Sequence, residues 1–371
     1  WERAEFYKPS PDFHEEYSFK FNDLFNVIKA EVSAIQSGVG LAEVNGFNRF
    51  ELIGSGVHDF LDRMICGALP RKAGRIGLGY LLNHHGMLKG EATIANLPAS
   101  DRGPDRVWYG SAAAAEWHDM DWLQMHLRPD EDVHIHSLTN DQTILVLAGP
   151  KARVVLQAVS RGDWSAEDFP WLSTRECFIG TAPATVFSVS FSGELAYEIH
   201  VPNAHLYAAY RTLRQAGETH GLTLFGARAV DSMRMEKGFL HWKADILTEF
   251  DPFETGLDRF VKMDKSDFIG KEALAQRRQA GPKKRLATLH VHGNLAPAHG
   301  GASVMLGKDV VGTVTSGDWG HRVGMNLAYA FVIPELAKEG TALEIVIIGH
   351  MTPARVIASS PYDPQMTLPR S

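Results

Sequence analysis

The chain changes character at residue 285. From there to the C-terminus, only short strand-like segments occur, separated by glycine-bearing turns, which is typical of a small closed or rolled β domain. The predicted strands cover residues 285–291, 302–306, 308–315, 327–332, 342–348 and 351–358. We therefore expect a β-barrel or jelly-roll-like domain over residues 285–371.

The preceding part of the chain alternates helix and strand patterns. Apolar residues recur at helical spacing in several stretches, and Ser111 is predicted to cap a further helix whose apolar face includes Trp117. The other predicted helices cover residues 21–37, 57–65, 152–159, 204–217 and 227–239. The predicted strands include residues 49–53, 78–82, 92–95, 185–191 and 196–201. This alternation predicts an α+β body over residues 21–280, with an extended arm before it (1–20) and a linker after it (279–284).

Charge and composition exclude two classes of partner. The 371 residues carry a formal net charge of −7 with both signs interspersed, so no basic surface for nucleic acid is expected. No apolar run approaches the roughly 20 residues of a membrane-spanning helix. Cys66 and Cys177 are the only cysteines, which suits a reducing compartment such as the cytoplasm or the mitochondrial matrix.

Motifs for dinucleotides and metals are weak or incomplete. The glycine-rich stretches at 54–56 and 74–79 lack the third glycine of a dinucleotide fingerprint, so we predict that this chain does not bind its own flavin or nicotinamide. His134 and His136 share one strand face, but no carboxylate stands at a characteristic offset, and we predict no metal site. Neither a serine elbow nor an activated cysteine is indicated.

Three places combine carboxylates with structured, apolar surroundings. Glu91 follows the tip of the predicted hairpin, and Glu198 lies within a predicted strand. Arg228, Asp231 and Arg234 recur at three-residue intervals on one predicted helix. Each could be a tuned functional group or an ordinary salt-bridged side chain, and the residues alone leave both interpretations open.

Five ordered blocks of this sequence resemble the aminomethyltransferase family, which comprises the tetrahydrofolate-binding T-protein of glycine cleavage (GcvT) and its relatives. The blocks are LLNHHG (81–86) leading to Glu91, LAGPKA (147–152), GELAYEI (193–199), DSMRMEKG (231–238) and VTSG (314–317). Within the family, the segments at 1–3, 118–122, 256–261 and 264–271 look most like the C-terminal folate half of dimethylglycine and sarcosine dehydrogenases. The resemblance implies a three-subdomain fold around a central folate channel, ending in the β-barrel domain.

The resemblance also implies a folate site. Glu198 matches the family's pterin-binding carboxylate, which would accept the pterin 2-amino and N3 hydrogens as a pair. Tyr197 and Trp242 would supply flat apolar surfaces for the rings. Arg228 and Arg234 would hold the glutamate tail or organise the pocket.

Two further positions carry implied roles. The resemblance implies that Asn83, in the first block, is one of the residues that contact folate. Glu91 stands where the family has its reactive-site carboxylate and would stabilise an iminium cation or manage a proton. The implied activity is conversion of formaldehyde, or the equivalent iminium, from oxidative demethylation of an N-methyl amine into 5,10-methylenetetrahydrofolate. The oxidising unit would be a flavin dehydrogenase with FAD or another demethylating domain, such as one acting on trimethylamine N-oxide, possibly fused upstream.

Departures from the family pattern keep two alternatives open. Gly90–Glu91 stands where T-proteins tend to have two aspartates, Leu78 replaces an aromatic residue, and Val230 precedes Asp231 where relatives have arginine. One alternative is a stand-alone folate-dependent methyltransferase resembling dimethylsulfoniopropionate demethylase. The other is a folate-binding module without group transfer.

Overall fold

The computed structural model describes residues 2–100, 103 and 105–371; Trp1, the first residue of the predicted arm, lies outside them. The helices are α1 (Leu24–Ser37), α2 (Val57–Met64), α3 (Glu116–Met125), α4 (Ala152–Val159), α5 (Leu206–Glu218), α6 (Ala227–Lys237) and α7 (Lys271–Ala280). The strands of the body are β1 (Gly40–Glu43), β2 (Phe50–Ile53), β3 (Arg75–Leu82), β4 (Leu88–Leu97), β5 (Arg106–Gly110), β6 (His134–Ser137), β7 (Gln142–Ala148), β8 (Thr174–Ile179), β9 (Ala182–Phe187), β10 (Ala196–Pro202) and β11 (Thr223–Leu224). The strands of the last domain are β12 (Arg285–Val291), β13 (Ser303–Leu306), β14 (Asp309–Gly320), β15 (Met325–Val332), β16 (Ala342–Ile347) and β17 (His350–Ile357).

Two sheets and a barrel form the framework. A six-stranded sheet has the order β11-β1-β7-β10-β9-β8, and a five-stranded antiparallel sheet has the order β3-β4-β5-β2-β6. The last six strands close into an antiparallel barrel, with β12 paired to both β15 and β17. The prediction of an α+β protein ending in a β-barrel is therefore confirmed. No helix in the described part of the chain is long and apolar enough to cross a membrane.

Several predicted elements differ from the structure in detail. Ser111 does not cap a helix: a 3-10 turn (Ala113–Ala115) precedes α3, and the Ser111 hydroxyl donates to Asp119. Trp117 is largely exposed and lies outside the apolar face. The strand predicted at 185–191 is β9, which ends at Phe187, and α7 extends into the predicted linker.

The N-terminal arm caps α6. The first N–H groups of a helix have no partner within it, and those of Ala227 and Arg228 donate to the backbone oxygens of Ala4 and Glu5, at 2.9 and 3.0 Å. A Cβ on Gly226 would stand 2.3 Å from the Glu5 oxygen, so this close approach requires glycine. The arm is thus joined to the body by backbone hydrogen bonds.

A buried arginine connects the barrel to the body. Arg322, between β14 and β15, has a fully buried side chain and donates to Glu194 before β10 (2.6 Å) and to Glu236 on α6. Its other guanidinium nitrogen donates to the backbone oxygens of Ser192 and Met233, at 2.8 Å each. Because each guanidinium nitrogen has an acceptor, the charge is tolerated in the interior.

Replacing Arg322 with methionine is expected to destabilise the chain by about 3–5 kcal/mol, because two buried carboxylates lose their counter-charge. The measurement is urea unfolding at pH 8 and pH 5. The loss of stability should be smaller at pH 5, because burial raises the pKa of Glu236 and its protonation removes a buried charge. Arg211→Met, at an exposed position on α5, is the control and should stay within about 0.5 kcal/mol of wild type. An equal, small effect of both substitutions would contradict this account.

Candidate functional site

The inner face of β10 carries Glu198 and His200. Successive side chains of a strand point to opposite faces, and these two residues lie on the face toward the five-stranded sheet. The His200 ring contacts Trp108 of β5, with centroids 5.0 Å apart. Burial lowers the pKa of Arg49, just before β2, and the charge of Glu198 counteracts that shift. Glu198 therefore lies between the two sheets, near a buried arginine.

Tyr197 lies on the other face of the same strand. Its side chain is fully buried in the core with Ile199 and Val201, and its ring stacks with Phe169 at 6.2 Å between centroids. The prediction that Tyr197 offers a ring to a ligand held by Glu198 is wrong, because neighbouring strand residues face opposite ways.

Glu91 lies on the inner face of the five-stranded sheet. It is directly opposite Tyr80 in the β3–β4 pairing, and the two side chains are hydrogen-bonded. Burial raises the pKa of Glu91 to about 7, and the nearby charge of Asp245 acts in the same direction. The side chain nevertheless keeps some solvent exposure. Glu91 is thus a deeply placed but accessible carboxyl that changes charge near neutral pH.

The strand register gives the distance between Glu91 and Trp108, the residue that His200 contacts. Trp108 pairs with Ala95 of β4, and Glu91 is four residues from Ala95 on the same face. At about 3.4 Å per residue, the Cα atoms of Glu91 and Ala95 are about 14 Å apart. Leu78, opposite Thr93 on this face, keeps 38% of its surface exposed. The inner face between Trp108 and Glu91 therefore carries a partly exposed apolar side chain, Leu78.

Arg234 organises the neighbouring part of the site. Its guanidinium donates to Asp245 (2.8 Å), Asp231 (2.9 Å) and Ser316 (3.1 Å). Asp245, which is fully buried, also accepts from Thr315 at 2.6 Å. The arginine therefore connects α6, the loop after it and the barrel. Of the two predicted roles, this geometry supports organisation of the pocket and not tail binding.

Arg228 does not lie with Arg234 and Asp245. It is half-exposed and lies 3.6 Å from Glu5 and 4.0 Å from Glu15 of the arm. It lines a cavity of about 150 Å³ beside Asp318, and neither Glu91 nor Glu198 lines that cavity. Burial raises the pKa of Asp318 to about 7. Sequence reasoning did not single out Asp318.

The remaining predicted residues lie near the hairpin of β3 and β4. The side-chain oxygen of Asn83 accepts from the backbone N–H groups of His85 (2.9 Å) and Met87 (3.1 Å), so it is committed to holding the hairpin tip. These bonds use only the oxygen of the side-chain amide, and a contact between Asn83 and folate stays a prediction. Trp242 is buried in a cluster that includes Tyr80, the partner of Glu91. The structure thus brings Trp242 to the Glu91 side of the site.

One residue beside Glu198 was missed from the sequence. His200 could have been found, because it is two residues from Glu198 and shares its strand face. Among the described residues, no group of three or more His, Cys, Asp or Glu could hold a metal ion.

Comparison with known proteins identifies the class. The model of the GCVT N-terminal domain matches residues 1–265, and that of the glycine cleavage T-protein C-terminal barrel domain matches residues 284–363. The chain therefore belongs to the aminomethyltransferase, or glycine cleavage T-protein, family of enzymes.

Individual relatives differ in length. Mitochondrial dimethylglycine dehydrogenase of Rattus norvegicus is 31% identical over 360 residues, which cover 96% of this chain and 41% of the relative. The chain thus spans about two fifths of that relative. An aminomethyltransferase of Thermoanaerobacter pseudethanolicus is 25% identical, with 95% and 96% of the two chains covered. The aminomethyltransferase T structure from Bartonella henselae shares the fold, with a TM-score of 0.81, 21% identity and coverage of 91% and 90%.

Glu91→Gln should remove part of the pH dependence of stability. A carboxyl whose pKa is raised on folding contributes stability that is present at low pH and lost as pH rises through the folded-state value. Between about pH 4.5 and pH 7, the wild type should lose about 3 kcal/mol relative to the variant. Urea unfolding from pH 4 to pH 8.5 measures this difference. A difference that is constant with pH would contradict the raised pKa; the variant retains Asp318, so only Glu91 is tested.

Proposed function

We propose that this chain is a tetrahydrofolate-dependent one-carbon acceptor. It combines formaldehyde, or the equivalent iminium released by oxidative demethylation of an N-methylated amine, with tetrahydrofolate to give 5,10-methylenetetrahydrofolate. The observation that carries the proposal is the placement of Glu198 and Glu91 on facing inner surfaces of the two sheets. Family membership supports the same class of chemistry.

The residues present suit a reduced pterin. The Glu198 carboxylate has two oxygens that can accept the adjacent 2-amino and N3 hydrogens, and this paired contact would fix the ring's orientation. Leu78, which is partly exposed, provides apolar surface on the facing sheet. Trp242, next to Tyr80, does so near Glu91. One end of the site therefore offers a hydrogen-bonding anchor, and its length offers apolar walls.

Tetrahydrofolate, when bound, supplies the two nitrogens that accept the one-carbon unit, with release of water when the donor is formaldehyde. Glu91 supplies the charge. As a carboxylate it stabilises a cationic one-carbon donor, and its pKa near 7 lets it take up or release a proton at neutral pH. Tyr80 donates a hydrogen bond that favours the ionised form. Arg234 and Asp245 hold the adjoining loop and barrel in place.

The oxidation step is assigned to another protein unit. The chain matches about two fifths of dimethylglycine dehydrogenase, and its glycine-rich stretches lack a dinucleotide fingerprint. We therefore propose that FAD, or another demethylating centre, acts in a separate or upstream domain. Dimethylglycine, sarcosine and trimethylamine N-oxide represent the type of methylated substrate. Direct passage of the product to Glu91 would limit the escape of reactive formaldehyde.

Glu198→Ala is expected to weaken tetrahydrofolate binding by at least about 30-fold, because two hydrogen bonds to a charged group are lost. Anaerobic calorimetric titration measures the affinity. Tyr197→Phe is the matched control on the same strand: it changes the opposite face and should leave the affinity unchanged. Equal binding by Glu198→Ala and wild type would contradict the assigned anchor.

Formaldehyde capture tests the activity. Wild-type chain should accelerate formation of 5,10-methylenetetrahydrofolate, with the rate rising through about pH 7 as Glu91 ionises. Glu91→Gln should lose roughly 100-fold in rate and lose that pH dependence. Chromatographic product analysis with stopped-flow absorbance gives both results. Formation of 5-methyltetrahydrofolate from a methylated substrate would instead favour a self-contained methyltransferase, and binding without acceleration would favour a folate-binding module.

A further inference from the structure

His200 is a buried histidine with a long polar contact to the proposed anchor. The residue is about 2% exposed, and neither ring nitrogen makes a hydrogen bond of good geometry in the described part of the chain, although Nε2 lies 3.5 Å from Oε2 of Glu198. A buried polar group without a partner is costly and requires an explanation. An apolar residue at this position would fill the space without that cost.

The surroundings of His200 fix the ring from two sides. Its centroid lies 5.0 Å from that of Trp108, at a steep angle, and 4.3 Å from that of Phe187. These contacts come from β5 of one sheet and β9 of the other. The imidazole is therefore held in one orientation by aromatic packing before any polar contact is made.

The polar edge of the ring meets the proposed pterin anchor. Nε2 lies 3.5 Å from Oε2 of Glu198, on the same strand face. Burial lowers the pKa of His200, and the buried Arg49 acts in the same direction, whereas Glu198 opposes it. A neutral ring with its proton on Nε2 can donate to the carboxylate without adding charge to the site.

We propose that His200 is a positioning residue, which donates from Nε2 to Glu198 and so orients the carboxylate for the paired donors of its ligand. The inference deepens the proposed function and rests on Glu198 as the folate anchor. The carboxylate has lone pairs for both His200 and the ligand. A carboxylate that is already held in place loses less conformational entropy when the ligand binds. The hydrogen bond from His200 should therefore increase the affinity for the ligand.

Three substitutions separate the hydrogen bond from the packing. His200→Gln can place an amide donor near the position of Nε2, whereas the shorter side chain of His200→Asn reaches only the position of Nδ1. His200→Leu removes both polar groups and fills much of the volume. Each variant is compared with wild type in tetrahydrofolate affinity by calorimetry, after circular dichroism and thermal unfolding have established that it folds.

The expected result is a loss of about tenfold in affinity for His200→Leu and His200→Asn, with His200→Gln within about threefold of wild type. Equal affinity of wild type and His200→Leu would overturn this inference alone. Equal losses in all three folded variants would also overturn it, because a donor at Nε2 would then not matter. No binding by wild type would overturn the proposed function together with this inference.

A spectroscopic measurement tests the hydrogen bond without a ligand. In protein labelled with ¹⁵N-histidine, the ring nitrogens of His200 should show a neutral imidazole protonated at Nε2 at pH 7. Glu198→Leu should shift the Nε2 resonance, and Tyr197→Phe should leave it in place. Protonation at Nδ1, or a spectrum insensitive to Glu198, would overturn the assigned donor.

Discussion

The buried charge of Arg322 is the constraint on which the placement of the barrel against the body depends. Its guanidinium binds Glu194, ahead of β10, and Glu236 on α6, while the arginine itself belongs to the barrel. Removing the arginine leaves two buried carboxylates without their counter-charge. The same helix carries Arg234, which binds Asp245 on the other side. The sheet that carries Glu198 and the loop that faces Glu91 are therefore held through one helix.

The carboxylates in the sequence blocks serve two different purposes. Glu194 and Glu236 are buried and both bind the guanidinium of Arg322, so they hold the barrel to the body. Glu91 and Glu198 keep some exposure and face the space between the sheets. The two pairs of glutamates are distinguished by whether they bind Arg322, and not by their occurrence in the sequence blocks. The chemistry of the site is thus assigned to the two carboxylates that the protein leaves accessible.

The sequence predicts local features better than long-range ones. The glycine-punctuated strands indicated the barrel, and a strand period of two was sufficient to separate Glu198 from Tyr197, although both were first assigned to one ligand. Arg322 could not be paired from the sequence, because its partners are 86 and 128 residues away and ordinary in type. Likewise, the pKa of Glu91 depends on burial created by the packing of distant segments.

In the proposed complex, one ligand lies between the two sheets, anchored at Glu198 and reacting beside Glu91. A crystal structure of the protein with a stable reduced folate tests this placement. The pterin 2-amino and N3 groups are expected within hydrogen-bonding distance of the Glu198 carboxylate, with the N5 and N10 edge toward Glu91. A folate bound in the cavity beside Arg228 and Asp318, with no contact to Glu198, would contradict it.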